Sequence, residues 1–129
     1  MKSQTNQKQI NMSVTETKID AILDAIRKDI AEREAVADQA MHILEKMKPS
    51  AEEYKEANLQ FGANVYVAHY LKRIQEIIKK RDIKKAENII RFHHYQQHAI
   101  GALDSHRDIS LGRVTVAVIL GGYVERFFK

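Results

Sequence analysis

The chain has 129 residues, of which 44% are hydrophobic and 29% charged, with a net charge of +4 and a pI near 9.3. That is enough for one domain with one modest core, and too apolar for a disordered chain. With no cysteine, disulfides, thiolate metal centres and thiol catalysis are excluded, and five glycines with one proline favour long helices over a many-turned β fold.

The mild basicity permits attraction to nucleic acid or to an acidic protein without requiring either. Met1–Ser13 lacks the apolar h-region of a secretory signal. The longest largely apolar run, 114–120, falls well short of the roughly 20 residues that span a bilayer. A cytoplasmic protein without a membrane partner is the expectation.

Residues 1–12 are almost wholly polar and predict a disordered tail, leaving 13–129 as a single helical domain. Ser13 to Glu16 fits a capping box, in which the serine accepts from the glutamate amide and the glutamate reaches back. In the helix that follows, Ile19, Ile22, Ile26, Ile30, Ala37, Ala40, Leu44 and Met47 repeat at threes and fours, with Arg33 filling one slot. Run on to Lys48, this helix is about 50 Å long, more than a compact domain of this mass needs. It therefore bends near Arg33 or projects into a partner chain, and the near-heptad spacing suits coiled-coil-like packing.

Pro49, the only proline, stops the first helix, and Ser50 to Glu53 forms a second capping box. The second helix, about 51–80, carries one stripe through Tyr54, Ala57, Phe61, Val65, Ala68, Leu71 and Ile78 and another through Leu59, Tyr66, Tyr70 and Ile77. Between 59 and 71 it is apolar nearly all round, which predicts contacts on more than one side. His69 in that stretch is expected at the core edge, bonded to a tyrosine or a carbonyl.

The densest charge follows: Lys79, Lys80, Arg81, Lys84 and Lys85 surround Asp82. Lysines at a helix C-terminus suit the macrodipole, and Asp82 is placed to cap the next helix. The same turn is a candidate phosphate contact, extended by Arg91 along the third helix.

On a wheel of 83–104, Ala86, Ile89, Phe92, Gln96, Ala99, Ile100 and Leu103 form the expected core stripe, bordered by His93. Glu87, Arg91, His94, His98 and Ser105 form a polar ridge opposite. This ridge is the expected surface for an anion or an acidic partner, because exposed histidines gain charge just below neutral pH. His94 and His98, at i, i+4, are the candidate metal ligands, with Glu87 or a residue from another helix to complete the shell. Two such residues on one helix do not make a site, so no metal or other cofactor is expected. Arg91 and His98 resemble the RxxxxxxH pattern of HEPN-type ribonucleases, small helical bundles. The resemblance, which covers these two residues, implies RNA cleavage by that pair at a dimer interface.

Residues 104–110 form the last connection, with His106 in the loop and Ser110 or Asp108 as N-cap. From Leu111 onward, alternating valines suit a strand, yet the opposite face is not polar and no partner strand exists. A helix apolar all round is the better reading, with Ala117 and Gly121 allowing another helix to come close. Val118, Gly121, Tyr123, Phe127 and Phe128 are the expected self-association surface.

The chain thus predicts an all-α fold, a mostly antiparallel four-helix bundle that hides its excess apolar surface in a homo-oligomer. No Gly-rich phosphate loop, nucleophile elbow or paired carboxylates emerge. The expected function is that of a non-enzymatic interaction or scaffold protein, with nucleic-acid binding through 79–91 as the alternative.

Overall fold

A computed structural model describes residues 18–101 and 106–129, with the first helix traced back to Lys2. The expectations that fall on 1–17, the tail and the Ser13 capping box, lie outside the described residues. Four helices make up the fold: α1 (Lys2–Lys46), α2 (Glu52–Ile78), α3 (Ile83–Gly101) and α4 (Arg107–Phe127). The valine-rich stretch is helical, and no strand occurs among the described residues.

The helix ends only partly follow the expected caps. At α3 the Lys85 amide donates to Asp82 Oδ1 at 2.8 Å, the cap expected of that aspartate. At α2 the N-cap position is Ala51, extended and without a side-chain cap, so the Ser50 box is not used. At α4 the N-cap position belongs to His106, again with no side-chain cap. Ser110 instead donates its hydroxyl to the Gly101 carbonyl at 2.8 Å, tying the start of α4 to the end of α3. An orphan carbonyl at a helix C-terminus thereby gains a donor.

Consecutive helices run antiparallel. Glu34 of α1 pairs with Lys72 of α2, while further along α1 Ala40 and Ile43 share a groove with Glu53 and Ala57. In α3 and α4, His94 meets Ala117 and Arg91 reaches Phe128. The diagonal pair α2 and α4 packs in parallel, Gly62 against Asp108 and Gly112 against Tyr66. A Cβ at Gly112 would lie 2.7 Å from the Tyr66 ring, so only glycine lets these two helices approach this closely.

The core gathers at one end of the bundle. Ile22, Ile26 and Ile30 of α1, Leu71, Ile74 and Ile78 of α2, Ile90 of α3, and Val116 and Leu120 of α4 meet there. The all-round apolarity of α2 has its reason here, since α1 and α4 both lie along it. α1 passes Arg33 unbroken. That arginine fills its slot by donating Nη1 to Asn64 Oδ1 at 3.3 Å, while its buried Nε has no partner among the described residues.

Because α4 begins beside Gly62, the 36–46 part of α1 and the 52–60 part of α2 extend past the α3–α4 pair as a two-helix arm, about 15 Å long. Buried Ala37, Ala40 and Ala57 bring the two helices close. The excess length of α1 is thus taken up by a hairpin within one chain.

The rotation of α3 corrects the sequence expectation. Of the expected stripe only Ala86 is fully buried among the described residues; Ile90, Gln97 and Gly101 complete the inward face in place of Phe92, Gln96, Ala99 and Ile100. Phe92 is 60% exposed and Tyr95 72% exposed. The polar ridge is turned partly inward instead.

Candidate functional site

Seven basic and three acidic side chains fall within 73–91, so this segment carries the whole +4 of the chain. The α2–α3 turn holds most of them at the core end of the bundle. Lys79 reaches Glu76 at 3.9 Å. Lys80, Arg81, Lys84 and Lys85 are exposed, and their side chains have no carboxylate partner among the described residues. The expected basic cluster is therefore brought together and left open to solvent.

Arg91 is not part of that open set. Its Nε donates to Glu87 Oε2 at 2.8 Å and its Nη2 to the Phe128 carbonyl at 3.4 Å, so it braces α3 against the end of α4. His94, expected on a solvated ridge, is half-buried and donates Nδ1–H to the Ala117 carbonyl at 2.7 Å. Its ring takes the space beside Gly121, where a Cβ would lie 2.8 Å from His94 Cε1. The helix admitted by Ala117 and Gly121 is thus α3 of the same chain. His98 stays exposed, its ring stacked on His94 with centroids 6.5 Å apart. Of the Arg91–His98 pair, only the histidine is open, because the guanidinium is already engaged. No cluster of three or more potential metal ligands occurs among the described residues.

The expected association residues divide in two. Val118 is 69% exposed on the outer face of α4, and a Cβ placed on nearby Gly122 would meet nothing within 4 Å. Tyr123 is instead buried, its hydroxyl donating to Asp29 Oδ2 of α1. Burial, then the Asp29 carboxylate, hold that phenol well above the usual tyrosine range. Phe127 and Phe128 pack against the core, and the Lys18 ammonium lies 5.5 Å from the Phe128 ring centre. Tyr123, Phe127 and Phe128 therefore serve the fold of one chain, which removes them from an open surface.

A cleft that the sequence did not announce lies between α2 and α3. The two helices diverge and leave about 610 Å³ between them, with Ile109 and Arg113 of α4 contributing to the wall. Across it Tyr66 donates to Gln97 Oε1 at 2.8 Å, and Tyr70 bonds His93 Nδ1 at 2.5 Å. Burial, and then the Arg73 charge, hold the His93 imidazole below its usual range, so it is the neutral ring that accepts from Tyr70. Burial also pushes the Tyr70 phenol up, with Tyr66 adding to the shift. The tyrosine-bonded histidine is therefore His93, and His69 stands exposed on the rim, correcting the expectation for His69. Two matched i, i+4 pairs on consecutive antiparallel helices, Tyr66/Tyr70 and His93/Gln97, were the sequence signal for this network.

No protein-family model, curated protein or solved structure matches the chain. No helix among the described residues is long and apolar enough to cross a membrane.

Proposed function

We propose that the protein is a non-enzymatic interaction module whose first partner is a second copy of itself, joined through the outer face of the α3–α4 pair. The observation that carries this reading is that Val118, 69% exposed, and Tyr95, 72% exposed, each stand next in the chain to a member of the His94–Ala117 bond that holds α3 beside α4. Large apolar groups gathered on one face lose contact with water when two such faces meet. Gly122 offers room beside Val118 for the partner's side chains, and His98 adds a polar margin. The surface is smaller than the sequence implied, because Tyr123, Phe127 and Phe128 are used within the chain.

The test is charge placed on the face. Val118→Glu and Tyr95→Glu each weaken self-association at least tenfold in sedimentation velocity, with far-UV circular dichroism unchanged. Unaltered association of both variants would refute the interface.

A second reading, nucleic-acid binding, is favoured by one specific observation: Lys80, Arg81, Lys84 and Lys85 stand exposed without carboxylate partners among the described residues. Four phosphate contacts give a log–log salt slope of roughly −3 to −4 on duplex DNA. Filter binding at several salt concentrations measures that slope, and Lys84→Gln with Lys85→Gln reduces it by about 2. A slope near zero would dispose of this reading.

A further inference from the structure

We propose that the cleft between α2 and α3 binds a small amphiphilic anion, with its acidic head at Arg73 and its apolar body along the cleft wall. The volume, about 610 Å³, lies within the range of small-molecule sites, roughly 300–1,000 Å³. The composition of the wall sets the chemistry. Among the described residues it contains two arginines and two histidines but no aspartate or glutamate. The Asp108 carboxylate lies against Gly62, about three turns along α2 from Arg73, so the Arg73 end offers a counter-charge to an anion and none to a cation.

The two arginines stand at different levels of the cleft. Arg113 lies with its guanidinium carbon 5.6 Å from the centre of the Tyr66 ring. Arg73, one turn along α2 from Tyr70, is exposed and has no ion-pair partner among the described residues. A guanidinium holds a carboxylate through a planar pair of N–H donors, so the open Arg73 beside an apolar cleft selects an acidic head.

The apolar part is equally unspent. Ile77 and Ile100 face the cleft from opposite helices, and both remain more than a third exposed. Between them the polar floor is already satisfied: Tyr66 with Gln97, Tyr70 with His93. Gln97 itself is buried, so its amide is committed to this floor. The floor therefore asks nothing of a ligand's body, which can be hydrocarbon or aromatic ring. What the wall demands is one negative head and an apolar remainder.

Titration calorimetry of the full chain with four probes tests this. Decanoate and 1-naphthaleneacetate supply the acidic head on an aliphatic and an aromatic body; decanol and decylammonium supply the same aliphatic body neutral or cationic. At least one carboxylate should bind saturably at one per chain, at least tenfold more tightly than decanol, with decylammonium weaker still. The tighter of the two carboxylates identifies the kind of body preferred. Arg73→Gln, on an exposed side chain, should weaken the carboxylates at least tenfold and leave decanol unchanged. Ile100→Trp, which narrows the cleft, should weaken decanoate and decanol alike, and Lys84→Gln at the basic turn should not alter binding. Equal affinity for decanoate and decanol, carboxylate binding that is unchanged in both cleft variants, or no saturable binding of either carboxylate would overturn the proposal.

Discussion

Two adjacent glycines in the second half of α4 should respond oppositely to the same change. Replacing glycine by alanine inside a helix gains about 1 kcal/mol from backbone entropy alone. At Gly122 nothing lies within 4 Å of the new methyl, so Gly122→Ala should stabilise by about that amount and raise Tm by about 4 °C. At Gly121 the methyl would stand 2.8 Å from His94 Cε1 and 3.3 Å from Nδ1, with the nearer contact about 1 Å inside van der Waals distance. The imidazole must turn away, straining its 2.7 Å bond to the Ala117 carbonyl. Loss of that bond costs about 0.5–1.5 kcal/mol and the crowding about 1–3 kcal/mol, so after the helix gain Gly121→Ala is destabilising by roughly 2 kcal/mol. Urea unfolding followed at 222 nm measures both variants. In a His94→Ala background, where the obstacle is gone, Gly121→Ala should become stabilising by about 1 kcal/mol. If Gly121→Ala and Gly122→Ala stabilise the unmodified chain alike, His94 does not pack on α4 and the rotation assigned to α3 is wrong.

Tyr123→Phe should cost about 1.5–3 kcal/mol in the same assay, because it removes a hydrogen bond to a carboxylate and leaves Asp29 half-buried without that donor. His93 makes stability depend on pH. Its folded pKa is depressed, so the unfolded chain takes up the proton first; the contribution is fully present above about 6.5 and is lost as pH falls through the folded value. His93→Gln should flatten the unfolding free energy between pH 6.5 and 5 relative to the parent, and an unchanged pH profile would contradict the neutral, Tyr70-bonded ring. Amide exchange should be fastest in the arm, 36–46 and 52–60, which is held mainly by alanines, and slowest in 67–78 and 116–124 around the core. Equal protection of arm and core would show that something else covers the arm.

The number and order of the helices, and the approximate ends from the close of α1 onward, could be read from the sequence. Pro49 and Asp82 are local devices whose effect needs no knowledge of the partner helices, and both act as expected. The all-round apolarity of α2 correctly announced contacts on more than one side. What could not be read was the rotation of α3. Counting hydrophobic residues put Phe92 inward, yet the inward face is built from Ala86, Ile90, Gln97 and Gly101. Small residues contribute little to an apolar count, while they let helices approach closely. A buried glutamine is likewise invisible until its partner, Tyr66, is brought across the bundle. The same blindness hid the role of His94, whose bond is to a backbone carbonyl that no side-chain pattern announces. Tyr123 looked like exposed surface because its buried acceptor, Asp29, lies 94 residues away in the chain.

Molar mass by light scattering across a concentration series decides most directly whether the exposed α3–α4 face serves a second copy. The chain alone weighs 14.9 kDa. A mass climbing to twice that value as the protein reaches tens of micromolar, and falling back on Val118→Glu, is the outcome expected. A mass fixed at 14.9 kDa over the whole series would contradict self-association through this face.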